Sequence, residues 1–160
     1  MPNIVLPQNY KIVTATPPIT TNAANTFDVI DLKNALRVYI VAQFHQHVAH
    51  ATVLQPVVGI SIASCATAIT FSAHWWKNAD VATTDTLVAQ TAGTSMACDA
   101  AATDHLMVIE IDPSDVVAQL STYHCLGITQ ATSAQANNYV SIVYYIQERY
   151  PQATPPAAIA

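Results

Sequence analysis

Arg37-Val38-Tyr39-Ile40-Val41-Ala42-Gln43-Phe44 alternates with a period of two. Its even positions, Val38, Ile40, Ala42 and Phe44, are uniformly apolar. Its odd positions mix Tyr39, Val41 and Gln43 and lead on to His45 and His47. That alternation predicts a half-buried strand with one face in a core. The same β-branched and aromatic grammar recurs at residues 57–63, 68–75, 106–111, 124–129 and 139–146. The last of these, Tyr139-Val140-Ser141-Ile142-Val143-Tyr144-Tyr145-Ile146, is the strongest, and Arg149-Tyr150-Pro151 stops it. Proline also punctuates Asp112-Pro113-Ser114-Asp115, because it cannot donate to a ladder. No long run of apolar i, i+3, i+4 positions interrupts the strands. A short helix at residues 114–120 is expected, with Ser114 as its cap and Asp115 in its first turn. Residues 81–103, rich in Thr and Ala, read as a long loop with one weak strand at 86–89. The fold class this predicts is all-β: an antiparallel, jelly-roll-like β-sandwich with extended N- and C-terminal arms.

The chain of 160 residues fits one domain. We divide it into an N-terminal arm (1–24), a β-sandwich domain (25–150) and a Pro-rich tail (151–160). The first 21 residues carry four prolines, and the last ten carry three and no charged side chain. Such segments seldom fold alone. In the first, Ile4, Val5, Leu6, Tyr10, Ile12 and Val13 point to an ordered arm or edge strand.

Charged residues make up only 9% of the sequence, against about 25% in a typical globular chain. A surface so short of charge is poorly protected against association, which predicts an obligate oligomer or a bound partner. With 5 basic and 10 acidic residues, the net charge of −5 argues against nucleic acid or an anionic membrane as that partner. No formal charge occurs between Arg37 and Lys77, but Ser61, Ser64, Thr67, Thr70 and Ser72 interrupt the apolar run there. The run therefore reads as two buried strands and not as a membrane-spanning helix. The start of the chain lacks the basic and apolar regions of a secretory signal. Cys65, Cys98 and Cys125 match no zinc or C-x-x-C spacing and read as small buried hydrophobes. A Cys65–Cys125 disulfide is the alternative.

Three constellations bear on chemistry. His45-Gln46-His47 places two imidazoles on one strand face, with His50, His74 or His124 available to complete a metal set. The pair resembles the first half of the cupin metal motif. A cupin places a glutamate a few residues later, whereas the next acidic residue here is Asp80. No metal and no cofactor is assigned on that basis, and His45 and His47 stand as weak metal candidates. Glu110 and Asp112, with Asp115 nearby, project together from a strand end, an arrangement seen in acid/base pairs and calcium sites but more often in a solvated corner. Trp75-Trp76 puts one indole on each face of a strand end, one to anchor the core and one to anchor an interface or stack on a sugar. There is no G-x-S-x-G, no Gly-rich phosphate loop and no H-E-x-x-H, so no catalytic residue is assigned.

Three stretches together resemble a known class. These are His74-Trp75-Trp76-Lys77-Asn78-Ala79-Asp80, Val108-Ile109-Glu110-Ile111-Asp112-Pro113-Ser114-Asp115, and Asn138 to Ile146 running into Arg149-Tyr150-Pro151. Their order, over residues 32–151, resembles the small head-associated proteins of tailed bacteriophages: the cement or decoration proteins of assembled capsids. The resemblance implies a non-enzymatic virion protein, assembled in the host cytoplasm. It would bind the outer surface of the major capsid protein, with a homo-trimer favoured. Contact is then expected from Trp76, from the arm residues Ile4, Val5, Leu6 and Tyr10, and from Tyr150, Pro151, Pro155 and Pro156. A minor capsid, fibre or tail protein, or a carbohydrate-binding jelly-roll module, would carry many of the same features.

Overall fold

The computed structural model describes residues 6–150. A single helical turn, α1 (Leu6–Asn9), leads into β1 (Tyr10–Thr20), β2 (Asn25–Thr26), β3 (Ile30–Asp31), β4 (Ala35–Gln46) and β5 (Val53–Gly59). A 3-10 turn (Ile62–Ser64), β6 (Thr67–Ala68), β7 (His74–Asn78), β8 (Val88–Ala89) and β9 (Met96–Ala97) follow. The chain ends through β10 (Asp104–Ile111), α2 (Pro113–Gln119), β11 (Cys125–Gln130) and β12 (Asn138–Glu148).

These strands form two antiparallel sheets packed as a sandwich. The first runs β1-β12-β4-β10-β7-β8, and the second runs β2-β11-β5-β6 with β3 added to β11 and β9 to β5. β4 is the axis of the first sheet: Ile40 lies opposite Tyr144 on one side and Ile109 on the other. The period of two then puts Val38, Ile40, Ala42 and Phe44 inside, where they meet Met107, Ile109, Ile142 and Tyr144. Leu54, Val58, Leu126 and Ile128 close the core from the second sheet. Tyr144 is fully buried, and its hydroxyl donates to the Asp28 carbonyl at 2.9 Å, tying the first sheet to the segment between β2 and β3. Burial pushes the Tyr144 phenol well above its ordinary range.

Residues 10–20, placed in the arm by sequence, run as the edge strand β1 along β12. Register shifts interrupt the pairing between Thr14 and Thr16 and between Thr16 and Ile19, the second across Pro17-Pro18. Proline and irregular pairing both blunt an edge. The strands expected at 57–63 and 68–75 end and begin elsewhere. β5 stops at Gly59 because the 3-10 turn folds back over it. A Cβ there would meet the Ser64 carbonyl oxygen and lie 2.6 Å from the Cys65 Cα. Residues 69–73 then cross from the second sheet to the first. Ile69 is buried during the crossing, and Ala73, also buried, forms an isolated antiparallel bridge with Gly93.

The turn that Gly59 admits covers the outer face of the second sheet. Val57, Cys65 and Cys125 form a small separate core there, with Val29 and Ile62 packed against it. All three cysteines are free and buried, and burial pushes the Cys65 thiol up to about 12. At the start of α2, Asp112 is the cap in place of the expected Ser114. Its carboxylate accepts from the Ser114 backbone N–H at 2.8 Å, and Pro113 occupies the first helical position, where no N–H is required.

Two outcomes test this packing. Gly59→Ala should lower the unfolding free energy by roughly 2–3 kcal/mol in a denaturant titration, because backbone must shift. An unchanged midpoint would mean that the 62–65 turn does not rest on the sheet. Asp112→Ala should cost about 1 kcal/mol at neutral pH. The Ser114 amide, more than Arg37, holds the Asp112 carboxyl below its usual range in the folded chain. Its contribution is therefore present above the ordinary carboxylate range and is lost as acid protonates it, so the two chains should converge in stability at low pH.

Candidate interaction surface

The outer face of the first sheet presents side chains from every one of its strands. Reading the register across it, Thr14 pairs with Val143, Val143 with Val41, Val41 with Val108, Val108 with Trp76, and Trp76 with Ala89. Each of these positions alternates with a core residue, so the row points away from the core. Val143, Val41, Val108 and Trp76 are half-buried. The row on one side continues the apolar character with Ile12, Tyr145 and Tyr39 before reaching Glu110 and His74. On the other side lie Ser141, Gln43 and Leu106. Ile12, 47% exposed, extends the apolar area to the β1 edge.

Charge is confined to the two ends of this face. At one end Arg37 makes ion pairs with Glu110 at 2.9 Å and Asp112 at 3.8 Å. The carboxylate pair singled out in the sequence is thus engaged by a guanidinium and by a helix cap. At the other end His45 Nδ1 contacts Asp104 Oδ1, and His45 Nε2 lies 3.0 Å from His47 Nε2. Clefts of about 260 Å³ beside His45 and about 490 Å³ beside Arg37 lie at these ends.

The two tryptophans divide as their alternation requires. Trp75 packs against the core, and its indole N–H donates to the Thr91 carbonyl at 2.9 Å. Trp76 is on the outer face. Of the other expected contact residues, Leu6 in α1 and Tyr150 after β12 are exposed at 47% and 73%. Tyr10 opens β1 opposite Gln147. Ile4, Val5, Pro151, Pro155 and Pro156 lie outside the described residues.

The histidine pair also points outward, because Gln46 between them takes the inner position. There Gln46 donates to Cys98 Sγ at 3.0 Å and its oxygen lies 3.1 Å from His105 Nε2. A cupin-like set inside the sandwich is therefore not what His45 and His47 form. His50, His74 and His124 do not complete a set either. Among the described residues no group of three or more His, Cys, Asp or Glu side chains is arranged to hold a metal ion. Sequence reasoning missed Asp104 as the partner of His45, since 59 positions separate them. It also missed the continuous apolar row, which exists only through cross-strand register.

If the row faces outward, Val108→Lys should change the unfolding free energy by no more than about 1 kcal/mol. Its neighbour Ile109→Ala should cost about 2–5 kcal/mol. Comparable losses in chemical denaturation would place Val108 in the core instead. No protein-family model matches the chain, and no curated protein matches its sequence, so the functional reading rests on this surface.

Proposed function

We propose that this protein is a virion structural component that docks on the outer surface of a tailed-phage capsid and stabilises it as a cement or decoration protein. The observation that carries the reading is the uncovered apolar face running from Val143 to Trp76. The second sheet covers part of its outer face with residues 62–65; on the first, residues 79–84 turn over the corner at Asn78, whose side chain is buried and donates to the Thr84 carbonyl, while the row from Val143 to Trp76 stays half-exposed. A face with that composition favours burial against another protein. Trp76 supplies the large rigid anchor typical of an interface centre.

Strand order gives further support. The chain passes repeatedly between the runs β1-β12-β4-β10 and β2-β11-β5-β6, with β5 and β6 adjacent in one sheet. That winding supports reading the sandwich as a double-sheet jelly roll, an architecture common among capsid proteins and lectins. The lectin alternative needs hydrogen-bonding side chains around the stacking ring. Trp76 is instead flanked across the strands by Val108 and Ala89. Its cross-strand neighbours are apolar, with His74, Asn78 and Glu110 one row away, which favours a protein partner.

Modest contacts suffice if several copies engage at once, because multivalency multiplies weak binding. A trimer that presents three such faces would attach firmly through shallow contacts. Light scattering at low micromolar concentration should give the mass of a trimer. Co-sedimentation with particles of the major capsid protein from the same virus should then be lost in Trp76→Ala and Val108→Lys. Undiminished attachment in both variants would overturn the assignment of this face. Trp fluorescence that shifts with glycans, with no capsid binding by the intact protein, would replace the reading with the lectin one.

A further inference from the structure

We infer that His45 and His47 form a two-histidine chelate for one divalent transition-metal ion, such as Zn²⁺, Ni²⁺ or Cu²⁺, on the outside of the first sheet. β4 carries both residues on the same face, two positions apart. Their rings meet edge to face, with centroids 4.4 Å apart and an interplanar angle of 82°. This orientation brings the two Nε2 atoms to 3.0 Å. With metal–nitrogen bonds of about 2.0–2.1 Å, nitrogens at that separation subtend roughly 95° at a shared ion, close to the angle between adjacent octahedral ligands.

The remaining nitrogen of His45 is already occupied. Asp104, directly across the ladder on β10, accepts from Nδ1. A carboxylate on Nδ1 fixes the tautomer and turns the Nε2 lone pair toward His47, whose Nε2–H it accepts until an ion takes that proton's place. Asp104 is thus a positioning residue and not a ligand. Imidazole donors suit zinc, copper and nickel and do not suit calcium or magnesium. Two protein ligands leave the other coordination positions to water, or to a donor on whatever covers the neighbouring apolar face. His45 is about half exposed, so an ion has direct access from solvent.

The site is independent of the capsid reading and is tested on the full chain without a histidine tag. NiCl₂ and ZnCl₂ are titrated by calorimetry, and the histidine side-chain nitrogens are followed by NMR. We expect saturable binding of one ion per chain, with the Nε2 resonances of His45 and His47 moving together. His45→Ala and His47→Ala should each abolish that saturable phase. Asp104→Asn should weaken binding by about tenfold to a hundredfold. His74→Ala, at the far end of the sheet, should leave it unchanged. The inference fails if intact protein shows no saturable binding at millimolar metal, or if His47→Ala binds as well as the intact chain. It fails equally if the resonances that shift are those of His50, His74 or His124. Both histidines are exposed, and a circular dichroism spectrum matching the intact chain confirms that each variant remains folded.

Discussion

The position of β4 between β12 and β10 is the constraint on which the rest of this structure depends. A strand paired on both sides has its register set twice, here by Ile40 opposite both Tyr144 and Ile109. A slip of one residue on either side would turn Val38, Ile40, Ala42 and Phe44 out to solvent and bring Tyr39, Val41 and Gln43 into the core. The cost is the burial of four apolar side chains, each worth about 1.5–3 kcal/mol apart from alanine, so register is strongly specified. The same pairing that builds the inside also builds the outside. Once Ile109 faces in, Val108 must face out, and with it Val41, Val143 and Trp76.

The end of the sandwich beside His45 shows how polar groups are accommodated at the limit of that register. Asn138 is fully buried, and its side-chain amide both donates to and accepts from the backbone of Val48, each at 2.9 Å. It thereby replaces a strand partner just where β4 has ended and the chain turns toward β5. Thr21 and Ser133 bond to each other at 2.6 Å beside it, and the Thr21 amide donates to the Asn138 carbonyl at 2.8 Å. Buried polar groups are tolerable when their partners are in place. These contacts tie the end of β4 to the loops that follow β1, β4 and β11.

Much of the fold was legible because β4, β10 and β12 obey a strict period of two, with apolar residues at each inward position. The less legible parts are those where local pattern and tertiary position diverge. Residues 68–75 are as apolar as a strand, yet 69–73 serve as the passage between sheets, with Ile69 buried outside any ladder and Ala73 held by a single bridge to Gly93. β1 contains Pro17-Pro18, which spoils a central strand but suits an edge. At the helix, Asp112 displaced Ser114 as the cap because proline is best placed immediately after the cap residue. For the surface, the outward Trp76 follows from alternation with Trp75. The valine row and the Asp104–His45 contact do not, because local sequence carries no information on which residues become cross-strand neighbours.

The two sheets solve the same problem differently, and the difference explains the scarcity of charge. The second sheet has glycines at positions 59 and 127 on its outer face, so chain can lie directly on it; a Cβ at Gly127 would come within 3.0 Å of Val29 Cγ2. The first sheet places valine, leucine and tryptophan at the corresponding outward positions, where side chains rise from the surface and, among the described residues, only the loop over Asn78 reaches across it. Charged residues there would have solubilised a lone subunit at little cost to the fold, since the positions are outside the core. Their confinement to Arg37 and its carboxylates at one end and Asp104 at the other leaves the middle of the sheet suited to a dry contact. A surface of that kind gains stability only when it is occupied, so the intrinsic fold and the occupied state are separate contributions, the first set by β4 and the second by what lies over Trp76.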